Sequence, residues 1–333
     1  MVTNYNKIKP IKKLDKVLSE LGVLFDEFEK NNPEKIEVSC PFCDCKNYSH
    51  AFSYKNCNYQ RCEKCDSLYL SPRITENWLL NYYEFMQENF VFEIPESQRQ
   101  IRIENLMKPR WKLLYEKFKP FIKKLPLNRY MEVGPGVGYF TEVAKLNKCA
   151  HEYLLVEPDV HCQNHLKKLG SDVKILNSIL EKVNEDENGN VDIIFINSVI
   201  EHPFSINNFF KKLNKLLSNN GIIVLVDMHC NGLDILSLRE KAPNVNPYSI
   251  LQIGSIDGIR KLSEKNGFEV KDIFSIGEMD TDILYEFLKK MDQNNPLKGL
   301  QKLLEKEEVR KDFQALLSKH LYTGYNGYIL QKI

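Results

Sequence analysis

Residues 129–139 read Arg129-Tyr130-Met131-Glu132-Val133-Gly134-Pro135-Gly136-Val137-Gly138-Tyr139. The first five read as a strand, the three glycines as a tight turn, and residues 139–147 as a helix. A strand, a glycine turn and a helix open a nucleotide-binding α/β unit. Glycine allows the tight backbone path and lets a ligand approach the chain closely. A second strand, Tyr153-Leu154-Leu155-Val156, ends in Glu157, 19 residues beyond Gly138. An acid there can accept hydrogen bonds from both ribose hydroxyls of an adenosine.

These features alone fit a dinucleotide site or an S-adenosylmethionine site. Three details favour the second. The glycines are spaced GxGxG, not GxGxxG. Glu132 stands two residues before the first glycine, where an acid suits the cationic amino group of methionine. This cofactor has no pyrophosphate, so it needs no open helix N-terminus to cradle one.

Downstream, residues 173–176 predict a third strand and residues 191–196, a near-continuous apolar run, a buried parallel fourth. Ser205 reads as the N-cap of a helix through residue 217, and Gly221 as the end of that connection. Residues 222–226 follow as a fifth strand. Ser255 starts another helix, with Ile256, Ile259 and Leu262 on one face and Gly267 at its end. Residues 268–276 and 325–331 complete the set. Alternating strands and helices imply a doubly wound α/β sheet of seven strands.

The other concentrated signal is cysteine. Six of the nine fall between Cys40 and Cys65, in the order Cys40-Pro41-Phe42-Cys43, eighteen residues, Cys62-Glu63-Lys64-Cys65. Two such knuckles can place four thiolates tetrahedrally around Zn²⁺, and a four-sulfur site is closed and therefore structural. The segment between them reads as a hairpin, too short to bury a core of its own, so a metal would staple it. Cys45 and Cys57 fall outside the pattern.

Length and composition agree. The 333 residues suggest two domains or one large domain with an accessory lobe. A net charge of +1 argues against a general nucleic-acid binder. No apolar run is long enough for a membrane span, and residues 1–20 contain no secretory h-region. The expected location is cytoplasmic, where clustered cysteines point to metal binding before disulfides. Helix-spaced apolar residues occupy 11–29, an aromatic helical stretch 75–92 (Trp78, Tyr82, Tyr83, Phe85, Phe90 and Phe92), and a further helix 110–124. The expected division is an N-terminal helix to residue 34, a zinc ribbon over 35–75, a helical lobe over 76–126 and the cofactor-binding domain over 127–333.

Glu132 to Gly138, Val156-Glu157-Pro158-Asp159 and Asn197-Ser198-Val199-Ile200-Glu201-His202 resemble the successive motifs of class I S-adenosylmethionine-dependent methyltransferases. With the leading knuckles, the chain resembles bacterial zinc-ribbon methyltransferases that tailor sugars and surface polysaccharides. The resemblance covers roughly residues 40–75 and 128–277. It implies a final strand inserted antiparallel between the fifth and sixth. It assigns Glu132, Gly134, Gly136 and Gly138 to the cofactor loop and Glu157 to the ribose. It places Asn197 near the methionine moiety and Ser178 at the adenine edge.

Methyl transfer from a sulfonium is an in-line displacement, so the protein mainly supplies proximity and alignment. A hydroxyl or carbon acceptor also needs a proton removed, and histidine is the natural base near neutral pH. His202 follows the fourth strand on the edge where α/β ligands bind; Glu201 could orient it or bind substrate. His229 is a weaker candidate for the same cleft. The long connection 228–254, with Pro243 and Pro247, and the aromatic stretch 75–92 are expected to cover the acceptor. The expected partner is a small molecule, a nucleotide-sugar or glycan. The competing readings are an RNA methyltransferase gripping nucleic acid with its zinc module, and a non-catalytic interaction protein on the same fold.

Overall fold

The computed structural model describes residues 11–90, 96–242, 245–291 and 296–333. Phe92 and Pro243 of the reading above lie outside the described residues. The strands are β1 (Lys35–Ile36), β2 (Tyr48–Tyr54), β3 (Cys57–Cys62), β4 (Leu68–Leu70), β5 (Arg73–Ile74), β6 (Leu127–Val133), β7 (Ala150–Val156), β8 (Val173–Leu176), β9 (Val191–Asn197), β10 (Leu217–Met228), β11 (Gln252–Ile253), β12 (Phe268–Ser275) and β13 (Tyr325–Lys332).

Seven of them form one sheet in the order β12-β13-β10-β9-β6-β7-β8. The pairs β8/β7, β7/β6, β6/β9 and β9/β10 are parallel, and β13 runs antiparallel to both β10 and β12. This is the class I methyltransferase topology. The strands are apolar on both faces because each face is covered by helices. Met131, Leu154, Ile194 and Leu225 share one layer with Phe209, Phe210 and Leu213 of helix Ile206–Leu216. Tyr130, Ile193, Phe195 and Val224 share the other with Trp111, Leu114 and Phe118 of helix Lys108–Phe118, and with Phe140 and Val143 of helix Tyr139–Leu146. Ser205 and Ser255 cap their helices as expected, accepting from the backbone N–H of Asn208 and Gly258.

Three local readings change. The fifth strand begins at Leu217, bulges before Ile222 and carries Gly221 inside it. The helix expected over 110–124 is Lys108–Phe118, preceded by helix Glu96–Arg102 and a π-turn at Ile103–Met107. The connection 228–254 is built into the N-terminal lobe. It contains helix Leu233–Leu238 and β11, and it buries Leu233, Ile235, Tyr248 and Leu251 against Phe25, Phe28, Tyr59 and Tyr82.

In the N-terminal lobe β2 and β3 form the expected hairpin, and β11, β4, β3 and β2 make one four-stranded sheet. β11 comes from the long connection after β10, so the two parts of the chain share a sheet. The two knuckles are the same turn made twice. Asp44 N–H donates to the Cys40 carbonyl and Asp66 N–H to the Cys62 carbonyl, and both Asp residues take a left-handed backbone, which Asp tolerates better than most side chains.

Candidate active site

The site lies along the carboxyl ends of β6, β7, β9 and β10. Gly134, Gly136 and Gly138 all have positive φ (63°, 56° and 81°). A Cβ on Gly134 would come within 2.7 Å of Val199, and one on Gly138 within 2.7 Å of Leu166, so these two let neighbouring elements close in. A Cβ on Gly136 would meet nothing within 4 Å. That open space beside bare backbone is what a bound ligand could fill.

Glu157 braces the loop. Its Oε2 accepts from the Gly136 N–H and its Oε1 from the Asp159 N–H, both at 2.9 Å. Each carboxylate oxygen has a second lone pair left to accept a ribose hydroxyl. Burial raises its pKa, and the two backbone donors hold it down. Glu132 is more deeply sealed. Its Oε2 accepts from Tyr130 Oη (2.9 Å) and from the Thr141 hydroxyl. Burial pushes its carboxyl up to about 7, against those two hydrogen bonds. Asn197 ends β9 opposite Val226 of β10, and Ser178 lies just past β8, its hydroxyl turned to the Ile179 carbonyl.

Beyond β9, Ser198 takes a left-handed turn (φ 56°) that sends the chain into Val199-Ile200-Glu201-His202. The Nδ1 of His202 lies 2.5 Å from the Ser249 carbonyl, so Nδ1 carries the proton and Nε2 is left as the basic nitrogen. Nε2 is 3.9 Å from Glu201 Oε1, and the ring is 39% exposed. Enclosure by the protein lowers the pKa of this histidine despite that opening, so the ring is neutral near pH 7.

Glu201 is almost fully buried beside Asp227 at the end of β10, and its Oε2 is sealed without a hydrogen-bond partner. Burial pushes Glu201 up to about 7, while burial and then the Glu201 charge push Asp227 well above the usual carboxylate range. Two carboxyls in contact cannot both ionise cheaply, so the pair shares one proton. Asp227 is fixed by the N–H groups of Ile200 (3.1 Å) and Met228 (2.6 Å). The sequence reading missed Asp227. It is the acid that ends the apolar run 222–226, the same signal that marked Glu157.

The lobe holds this motif from outside. Gln252 Nε2 donates to the carbonyls of Ile200 and Pro203, Arg73 donates to Gln252 Oε1 and the Phe204 carbonyl, and Tyr83 Oη donates to the His202 carbonyl. Tyr82 packs inside the lobe. His229 lies apart, in a hollow of about 400 Å³ with Cys65, Asp66 and Arg260.

The sulfur atoms of Cys40, Cys43, Cys62 and Cys65 all lie within 4.8 Å of one another, with Cys40–Cys65 and Cys43–Cys62 both 3.5 Å apart. Four thiolates about 2.3 Å from one zinc would have edges of about 3.8 Å, so the set fits. Cys45 Sγ points to the Asn47 carbonyl and Cys57 is buried in the lobe; neither joins the cluster.

A family model of the methyltransferase domain matches residues 99–273, more than half of the chain. The chain belongs to this methyltransferase family. No curated protein matches the methyltransferase in sequence. Solved structures resemble it at low identity. A Galdieria sulphuraria protein assigned as a sarcosine dimethylglycine methyltransferase shares 14% identity, with TM-score 0.47 over 69% of this chain and 87% of that one. An S-adenosylmethionine-dependent methyltransferase from Mesorhizobium loti shares 10%, with TM-score 0.44 over 66% and 97%. The cyclopropane synthase MmaA2 from Mycobacterium tuberculosis shares 17%, with TM-score 0.42 over 66% and 84%. The methyltransferase is an S-adenosylmethionine-dependent enzyme, and no helix among the described residues is long and apolar enough to cross a membrane.

Proposed function

We propose that this methyltransferase methylates a small, sugar-linked acceptor, a nucleotide-sugar or glycan, with His202 as the general base and a structural Zn²⁺ in the N-terminal lobe. The observation that carries the base assignment is the contact between His202 Nδ1 and the Ser249 carbonyl, which leaves Nε2 as the acceptor beside Glu201. The acceptor class rests on the likeness of the motifs and the zinc knuckles to sugar-tailoring enzymes.

When bound, S-adenosylmethionine supplies a methyl group already activated on sulfonium. The residues that would hold it are Glu132, Gly134, Gly136, Gly138 and Glu157, with Asn197 and Ser178 at the ends of β9 and β8. Glu132 answers the ammonium of the methionine part, whose charge would favour the carboxylate form that burial now opposes. Glu157 keeps lone pairs for the ribose. At the acceptor, neutral His202 takes the departing proton on Nε2. The resulting imidazolium lies next to the Glu201–Asp227 pair, whose single negative charge stabilises it. The clamp from Arg73 and Gln252 keeps the base in place while it works.

Cys40, Cys43, Cys62 and Cys65 would hold the metal. All four positions are filled by protein sulfur, so it stabilises the lobe and takes no part in methyl transfer.

The test is a titration of the zinc-loaded protein with S-adenosylhomocysteine, beside Glu157→Ala, followed by a methyl-transfer screen over nucleotide-sugars. Micromolar binding lost in the variant, with transfer to a nucleotide-sugar, is the expected result. No binding by the folded protein would overturn the reading.

A further inference from the structure

Arg110 lies in the first turn of helix Lys108–Phe118, which packs on one face of the sheet through Trp111, Leu114 and Phe118. Its Nε is sealed from solvent without a hydrogen-bond partner, and it forms no ion pair among the described residues. The charged and polar groups that act on it are Glu278, Tyr325, Asp280 and a second guanidinium, Arg102. Asp280 is already engaged by the Gly324 N–H and by Gln314 Nε2, both at 2.7 Å, and Glu278 is exposed.

Arg110 is half-buried, and a guanidinium with one N–H sealed from solvent and unpartnered is costly to hold, the more so with a second guanidinium nearby. The same arrangement is favourable once an anion sits between the donors, because Arg forks match carboxylate and phosphoryl oxygens. The Arg102 side chain makes no hydrogen bond among the described residues, and its guanidinium lies 5.9 Å from the centre of the Tyr139 ring, just after the glycine turn. The Tyr139 hydroxyl is likewise buried and unpartnered. Tyr325 begins β13 opposite Met228 at the end of β10 and feels the charge of Glu201. Arg110 is therefore tied to Tyr325, at the start of β13 beside the end of β10, and to Arg102, which lies near Tyr139 after the glycine turn.

We propose that Arg110, with Arg102 beside it, binds an anionic group of the methyl acceptor, a carboxylate or phosphoryl. The inference rests on the reading of the cleft as a site for cofactor and acceptor side by side. It adds that the acceptor must be negatively charged, as a nucleoside-diphosphate sugar or a sugar acid is and a neutral glycan is not.

The probes are inorganic pyrophosphate and malonate, titrated by calorimetry into the full chain with and without saturating S-adenosylhomocysteine. The wild type is expected to bind one of them alongside S-adenosylhomocysteine. Arg110→Met should weaken that binding at least tenfold and Arg110→Lys less, with S-adenosylhomocysteine affinity within twofold of wild type. The ligand-free Met variant should melt close to wild type, since no hydrogen bond or ion pair is lost. Binding of neither anion would overturn the proposal, and so would a large fall in melting temperature, which would make Arg110 structural. If the anion instead competes with S-adenosylhomocysteine and Arg110→Met weakens the latter tenfold, Arg110 holds the cofactor's own carboxylate and the proposal fails. If S-adenosylhomocysteine does not bind the wild type, the reading of the cleft falls. Anion binding that still depends on Arg110 would then uphold the anion site alone.

Discussion

The imidazole of His202 gives its Nδ1 proton to the carbonyl of Ser249, 2.5 Å away. Ser249 belongs to the connection after β10, which packs into the lobe core, so the tautomer of the proposed base is set by a distant part of the chain. In His202→Asn the turnover rate should fall by roughly 10²–10⁴-fold, the usual range for a lost general base. S-adenosylhomocysteine affinity should stay within a factor of two. Because enclosure lowers the His202 pKa, the acid limb of the wild-type rate profile should lie below pH 6.5. Calorimetry and a pH–rate series check both; a parallel loss of cofactor affinity would move His202 out of the base role.

With Glu132 in the role proposed, cofactor binding should depend on pH. A carboxyl whose pKa is raised in the fold holds its proton more tightly there than in the unfolded chain. Its contribution to stability is full below pH 4.5 and is lost as pH rises toward 7. A bound ammonium has the opposite preference, since it needs the carboxylate. The ligand-free melting temperature of the wild type should therefore fall more steeply from pH 5 to 8 than that of Glu132→Gln. S-adenosylhomocysteine affinity should rise over the same window in the wild type and be flatter in the variant. Melting curves and titrations in buffers of different ionisation heat would show both. Identical slopes in the two proteins would place the titrating group elsewhere.

The sheet was legible because a buried parallel strand is written as an uninterrupted apolar run, as in Ile193-Ile194-Phe195-Ile196. The start of β10 was not, because Ser218, Asn219 and Asn220 are polar strand residues at a bulge, and local propensity favours a turn there. The connection after β10 read as a loop because its prolines are local signals, while the packing of Tyr248 against Phe25 and Phe28 is not. Of the site, the glycine turn and Glu157 carry fixed spacings. Arg73 and Gln252 act through contacts between distant segments and leave no pattern.

Metal removal should act through the lobe. β4 pairs with β11, and Gln252 of β11 holds the carbonyls of Ile200 and Pro203. Loosening the lobe should therefore loosen the proposed base. Elemental analysis should find one zinc per chain. Chelation or Cys62→Ser should lower the melting temperature sharply, since structural zinc contributes on the order of 10 kcal/mol of folding free energy in small modules. Methyl transfer should be lost before S-adenosylhomocysteine binding, because the glycine turn belongs to β6 and not to the lobe. Folded, metal-free protein of unchanged stability would refute the zinc assignment.

Gly134 and Gly136 separate packing from binding within one turn. Both have positive φ, where alanine costs about 1–2 kcal/mol. In Gly136→Ala that backbone cost should be nearly the whole effect on stability, because the new methyl meets open space. A loss of this size corresponds to a few degrees of melting temperature in a domain of this length. The same methyl would stand where the cofactor is expected, so S-adenosylhomocysteine affinity should fall at least tenfold. In Gly134→Ala the methyl would press on Val199 at 2.7 Å, so stability should fall further and binding follow it down. Thermal melts and titrations of both variants decide the matter. If Gly136→Ala binds S-adenosylhomocysteine like the wild type, the cofactor does not lie against this turn, and the assignment of Glu157 to the ribose goes with it.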